Sequence, residues 1–266
     1  MDAQTPHIRA CIAHLSGPGA YFSARQRLAV SLEAAAALDA CKACAGLRDT
    51  CLMPRTSVVT LLRNSGVVPA VPASTLPQDL VICIRAMINL QSKLTVEFYN
   101  DLVRAAQQYS TLKLTDSETK AAAAELIAVV SVTSSLTTLL ESLGLHERFS
   151  LPDLSEIQDA QPIAARRLSA MGSTVVPGVT YGPLMSSLGS SPPGESNPMM
   201  LSQMPFRGLG LVPFEATFFD RWLAALYMEG WKVIFSAYGL GATATLDRAQ
   251  MEVVAEHYAG TVGCAY

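Results

Sequence analysis

A chain of 266 residues, half of them hydrophobic and only 15% charged, can bury a sizeable core, and an apolar fraction carried by Ala, Leu, Val and Met favours an all-α fold. A net charge of −3 with scattered basic residues leaves no footprint for a phosphate backbone, which excludes nucleic acid as a partner. The opening MDAQTPHIRA lacks the basic start and apolar stretch of a secretory signal, and six cysteines in so long a chain make no disulfide scaffold, so a cytoplasmic protein with reduced thiols is expected.

Helix starts show as Ser, Thr or Asp followed three residues later by Glu or Gln, a pattern that caps a first turn reciprocally. It occurs at Ser23/Gln26, Thr75/Gln78, Thr115/Glu118, Asp153/Glu156 and Asp247/Gln250, with Pro77 suited to a first turn. The sequence thus predicts helices over about 23–46, 55–64, 76–93, 95–109, 116–145, 153–169, 214–238 and 247–262. His7 and His14 then precede the first core helix. A mean hydropathy of +0.29 raises the question of a membrane. The most apolar run, Leu126 to Leu140, is too short to span one, contains several Ser and Thr, and is flanked by Glu125 and Glu141. It reads as a helix buried on most sides, against neighbours in its own chain or another subunit, and no membrane partner is expected.

Composition changes between Ser173 and Pro213, where Pro, Gly and Ser are dense. The expected organisation is a helical domain over 1–170, a Pro/Gly/Ser-rich linker over 171–213, and a segment over 214–266 that is too small to be stable alone and docks on the first. That segment carries a partial internal repeat. RQRLAVSLEAAAALDACKA at 25–43 aligns without gaps on RAQMEVVAEHYAGTVGCAY at 248–266, pairing Arg25 with Arg248, Val30 with Val253, Glu33 with Glu256, Ala36 with Ala259 and Cys41 with Cys264. Within 214–266, Phe214, Phe218, Trp222 and Leu226 fall at helical spacing and read as a core stripe first and a pocket wall second.

The densest chemistry is LDACKACAGLRDTC at 38–51, with Cys41, Cys44 and Cys51. An opening arginine, a run of small residues and then C-x-x-C resembles the alkylhydroperoxidase D-like and carboxymuconolactone decarboxylase family, over about residues 20–146 and again 214–266. The resemblance implies an alkylhydroperoxidase-like helical bundle with a partial second repeat, a homo-oligomer, and a thiol-dependent peroxidase. In that reading Cys44 attacks the peroxide, Cys41 resolves the sulfenic acid as a disulfide, and an external dithiol restores both. A C-x-x-C pair at a helix start brings the sulfurs close and lowers a thiol pKa.

The chain departs from the family pattern at the proton relay, where the histidine and glutamate positions are Arg48 and Ala29. Arg48 favours a nearby thiolate but accepts no proton. Glu33, one turn on from Ala29, is the nearest candidate base, against the alternative of a solvated glutamate. Secondary candidates are Cys51 as another resolver or a helix-end thiol, Glu252 and Cys264 in the second copy, and His257 as an acid–base group or a surface histidine. Cys11 and Cys83 read as core residues. C-x2-C-x6-C supplies three zinc ligands where four are needed, and no di-iron, phosphate-loop or dinucleotide motif occurs, so neither metal nor cofactor is expected. Two other readings stay open: a cofactor-free decarboxylase-like acid–base enzyme acting on a small organic acid, and a non-catalytic oligomeric family member.

Overall fold

The computed structural model describes residues 5–43, 69–72, 75–89, 96–166, 173–174, 184–185 and 211–226. Among them the chain is helical: α1 (Thr5–Leu15), α2 (Ala24–Ala43), α3 (Gln78–Asn89), α4 (Val96–Tyr109), α5 (Asp116–Ser142) and α6 (Pro213–Leu226). The rest of the described regular structure is a 3-10 turn at Ala164–Arg166 and a two-residue antiparallel pairing of Ser173–Thr174 with Leu184–Met185.

Two helices start on the reciprocal caps that their sequences predict. At α2 the Ser23 N–H donates to Gln26 Oε1 at 3.0 Å while the Gln26 N–H donates to Ser23 Oγ at 3.3 Å. At α5 the Thr115 N–H donates to Glu118 Oε2 at 2.9 Å and the Glu118 N–H returns to Thr115 Oγ1 at 3.4 Å. Such caps satisfy donors that a helix start leaves orphaned, for about 1 kcal/mol each. Helix α5 ends on Gly144, whose φ of 64° is the left-handed geometry glycine adopts without strain. The Gly144 N–H bonds Glu141 O at 2.9 Å and the Leu145 N–H bonds Leu140 O at 2.7 Å, with Leu140 and Leu145 both buried. This is the paired closure of a Schellman end.

Helix α5 is the axis of the bundle and packs against all five other helices. Ala121, Ala122, Ala123, Ala124 and Ala128 let neighbouring backbones approach, and Leu126, Val129, Val130, Val132, Leu136 and Leu140 fill the gaps between them. Full burial of such aliphatic side chains stabilises by about 1.5–3 kcal/mol each. By length and composition alone α5 would suffice to cross a membrane; 61% of its most apolar window is buried inside the bundle, and Glu125 within the same helix is fully buried. Glu125, which flanks the apolar run, lies inside the helix that starts at Thr115 as expected.

Two expectations are corrected here. The residues around His7 and His14 form α1, which sequence reasoning left without structure. Pro6 sits in its first turn, and Ile8, Cys11 and Leu15 fall at i, i+3 and i+7 to make its buried stripe. Among the described residues 153–166 the helix expected over 153–169 does not form: residues 154–156 make a turn and the helical part is the 3-10 turn Ala164–Arg166. The Asp153 N–H does reach Glu156 Oε2 at 3.1 Å, but Pro162 then disfavours helical geometry at Gln161. The segment finds other partners across the entrance of α2. Ala160 O accepts from the Ala24 N–H at 2.9 Å, Asp159 Oδ1 from the Arg25 N–H at 3.1 Å, and the Ile163 N–H donates to Gly19 O at 2.9 Å. A carboxylate at the first turn of α2 also matches the positive end of its dipole. The helices expected over 55–64 and 247–262 lie outside the described residues.

Candidate functional site

Four ionisable side chains from four helices meet inside the bundle. His14 comes from the last turn of α1, Arg27 from the first turn of α2, Glu125 from the middle of α5 and Glu215 from the first turn of α6. All four are buried. Arg27 Nη1 donates to Glu125 Oε1 at 2.9 Å and to Glu215 Oε1 at 2.6 Å, so one guanidinium holds two carboxylates. Glu125 Oε2 also accepts the N–H of Ala20 at 3.0 Å and of Tyr21 at 2.9 Å, both from the loop between α1 and α2. Gly19 makes that approach possible, since a Cβ there would lie 1.8 Å from Glu125 Oε1.

His14 completes the arrangement. Its Nε2 stands 2.8 Å from Glu215 Oε2 and 3.1 Å from Arg27 Nη2. Arg27 Nη2 has other acceptors, His14 O at 3.2 Å and Glu215 Oε2 at 3.4 Å, so the consistent assignment has Nε2–H donating to Glu215. The imidazole stacks on Phe218, with ring centroids 3.6 Å apart, and on Phe214 at 5.0 Å. The Arg166 guanidinium covers Phe214 from 3.6 Å and donates to Pro18 O.

The electrostatics follow from burial against pairing. Burial acts to raise the Glu215 carboxyl, but Arg27 and His14 outweigh it and hold it at about 2. For Glu125 burial wins over Arg27 and the carboxyl is raised. Two carboxylates sharing one guanidinium split in this way. Burial also lowers His14, against the pull of Glu215. Arg27 is raised, its two carboxylates overcoming desolvation. Among the described residues, no group of three or more His, Cys, Asp or Glu is placed to hold a metal, and here Arg27 stands where a cation would. The Arg27 Nε–H finds no hydrogen-bond partner among these residues.

A second buried charge lies further along α2. Glu33, fully buried, pairs through Oε1 with Arg85 Nε of α3 at 2.7 Å, and its Oε2 accepts the Ala70 N–H at 2.6 Å. The alternative of a solvated glutamate is thereby corrected. Both carboxylate oxygens are engaged, and eight residues of helix, about 12 Å of rise, separate Glu33 from Cys41. The backbone of Cys41 belongs to the last turn of α2, eighteen residues into that helix. A thiol so placed takes no benefit from the α2 N-terminus, which corrects the helix-start argument for Cys41. Cys44, Arg48, Cys51, Glu252, His257 and Cys264 lie outside the described residues. Cys11 and Cys83 are buried core residues, as expected, and burial pushes the Cys11 thiol well up. Cys83 borders a shallow hollow between α3 and α4, shared with Asp79, Asp101 and Arg104, that accommodates no more than a water-sized sphere.

Sequence reasoning missed the four-residue cluster, although a signal was present. Arg27 precedes Leu28, Ala29 and Val30, and Glu125 interrupts AAAAELIAVV, so each charge sits within an apolar stretch where it has to be paired. Which charges pair is set by packing of helices far apart in sequence, as with Glu215 and Arg27, 188 positions apart. Comparison with protein-family models, curated proteins and solved structures returns no match.

Proposed function

We propose that the chain is a thiol-dependent peroxidase-like oxidoreductase acting on hydroperoxides through Cys41 and Cys44, within an alkylhydroperoxidase-like bundle that bears a partial second repeat over 214–266. The observation that carries the reading is α2 itself. It brings Cys41 in on a continuous helical backbone through Ala43, while the thiols of Cys11 and Cys83 are sealed in the core. Burial of Cys11 and Cys83 supports leaving redox chemistry with solvent to cysteines outside the core, of which the C-x-x-C pair is the proposed site.

In the proposed cycle the Cys44 thiol loses its proton to water and the thiolate attacks the peroxide oxygen. The O–O bond breaks, the leaving oxygen takes a proton as the alcohol, and Cys44 becomes a sulfenic acid. Cys41 displaces the hydroxyl as water and forms the disulfide, which an external dithiol reduces. Arg48 is the proposed thiolate stabiliser. With Glu33 committed to Arg85, the proton goes to solvent. The working form is taken to be a cytoplasmic homo-oligomer, at least a dimer.

The engagement of Glu33 favours a second reading, a non-catalytic helical oligomer in which the proton relay is lost. A free-thiol count before and after stoichiometric hydroperoxide separates the two. The peroxidase reading expects loss of two thiols, abolished by Cys44→Ser and leaving a persistent sulfenic acid in Cys41→Ser. Thiols that remain accessible to labelling and unchanged by peroxide would overturn it.

A further inference from the structure

Helix α6 joins the body through apolar packing and through a few specific groups: Trp222 belongs to the core cluster that α1 to α5 share, Phe218 and Phe219 lie against it, and Ala216 packs with Ala128 of α5. Glu215 enters between Arg27 and His14, Phe214 and Phe218 stack on His14, and Trp222 Nε1–H donates to Ser135 Oγ at 2.7 Å. The Arg27–Glu125 pair belongs wholly to the body and keeps its two backbone donors whether or not α6 is present. His14 is the member whose surroundings α6 decides. With α6 in place it is enclosed by two rings and a carboxylate; without α6 it loses all three.

The charge balance fixes the state in which α6 fits. The charged groups facing His14 are Arg27 from α2, Glu215 from α6 and Arg166 from the 3-10 turn, with Glu125 of α5 behind Arg27. Two guanidiniums already face the imidazole against the one carboxylate of Glu215, so a protonated His14 would add a further uncompensated charge to a buried site. On its own helix, His7 and Arg9 are exposed and do not enter this balance.

We propose that α6 is a pH-sensitive strap on the bundle: it docks on the groove of α1, α2 and α5 while His14 is neutral, and protonation of His14 releases it. Burial holds the docked imidazole below its ordinary value of 6.5, in the same direction as the charge balance. The sign follows from linkage. A histidine lowered on docking contributes stability that is present in full above about 6.5 and is lost as pH falls toward the docked value. In that window His14 takes up a proton on release, so the docking constant falls by up to about tenfold per pH unit, and by less where the Glu125 carboxyl, raised in part by Glu215, gives one up. The Glu215 carboxyl, held at about 2, would add a second loss only below its ordinary 4.5.

The full chain carries two tryptophans, so Trp231→Phe leaves Trp222 as the reporter of docking. Acrylamide quenching of Trp222 and far-UV circular dichroism are followed together from about pH 8 to about pH 5, a range that brackets the ordinary histidine value. The expected result is at least a doubling of the quenching constant with a midpoint below 6.5, most of the helical signal being retained, and suppression of this step by His14→Gln. Should His14→Gln fail to dock at the alkaline end, the proton NMR titration of the parent's histidines decides, with His14 expected to titrate below 6.5 in step with the quenching. An unchanged Trp222 down to the acid end, coincident loss of the helical signal, the same step in docked His14→Gln, or a His14 titrating at or above 6.5 would each overturn the proposal.

Discussion

Replacing Arg27 by Met tests whether the buried cluster is held by charge or by packing. Met preserves much of the aliphatic stem, so the hydrophobic contacts change little, while the guanidinium that bonds Glu125 at 2.9 Å and Glu215 at 2.6 Å is lost. Two fully buried carboxylates are left uncompensated. Removing one partner of a buried pair costs about 3–5 kcal/mol, a large part of the roughly 5–15 kcal/mol that holds a domain folded. With urea slopes of about 1–3 kcal/mol/M, the unfolding midpoint near neutral pH should fall by more than about 1 M. The informative comparison is Arg27→Met combined with Glu125→Gln and Glu215→Gln. The amide that replaces the Glu125 carboxylate can still accept the N–H groups of Ala20 and Tyr21 through its carbonyl, and no carboxylate in the cluster remains unpaired. Charge removal should therefore restore much of what the single change loses, although it takes away two further native groups. Urea unfolding followed by far-UV circular dichroism reads both variants. An Arg27→Met protein within about 1 kcal/mol of the parent, or a triple variant as unstable as the single one, refutes the electrostatic account.

Gly19→Ala should destabilise by about 1–3 kcal/mol, the cost of an overpacked site, because its Cβ would meet Glu125 Oε1 at 1.8 Å and that carboxylate is fixed by three donors; thermal unfolding checks it. Trp222→Phe and Ser135→Ala each remove the same 2.7 Å hydrogen bond. Each should cost about 1 kcal/mol for that bond, and a double-mutant cycle should show them non-additive. In acid, Glu215 contributes stability that is present above its ordinary 4.5 and lost as pH falls through about 2. Glu215→Gln should therefore flatten the acid limb of a stability-against-pH curve, an outcome that urea midpoints measured across that window would show. In native labelling, Cys11 and Cys83 should react only after unfolding, which peptide mapping of the labelled protein resolves.

The helical class and the starts of α2 and α5 were legible because they rest on local chemistry: composition, and a cap that reads over four residues. Helix α1 was also local, in Pro6 and the Ile8, Cys11, Leu15 stripe, yet it lacks the reciprocal cap used to find the others. The segment at 153–169 failed for the opposite reason. Its local cap forms, but Pro162 and the open donors at the start of α2 win over helix propagation, and those donors are more than a hundred residues away. The cluster divides in the same way. That Arg27 and Glu125 must be paired can be read from the apolar residues around them; that Glu215 and His14 join them depends on how α1 and α6 pack.

Helix α2 links the buried charge cluster to the proposed thiol pair. Near its start Arg27 is fixed by Glu125 and Glu215, and in its middle Glu33 is fixed by Arg85 and the Ala70 N–H. Rotation of α2 about its axis, or a slide along it, would break pairs at both places at once, each of them buried and costly to leave open. The Cys41 backbone is thus carried at the end of a rod with two fixed points. A disulfide requires sulfur-bearing Cβ atoms roughly 3.5–4.5 Å apart, and a rod so anchored gives Cys41 little freedom to move toward its partner. Substitutions at Arg85 that free α2 should accordingly change the rate of disulfide closure without changing the first attack on peroxide, and stopped-flow measurement of the two steps distinguishes them.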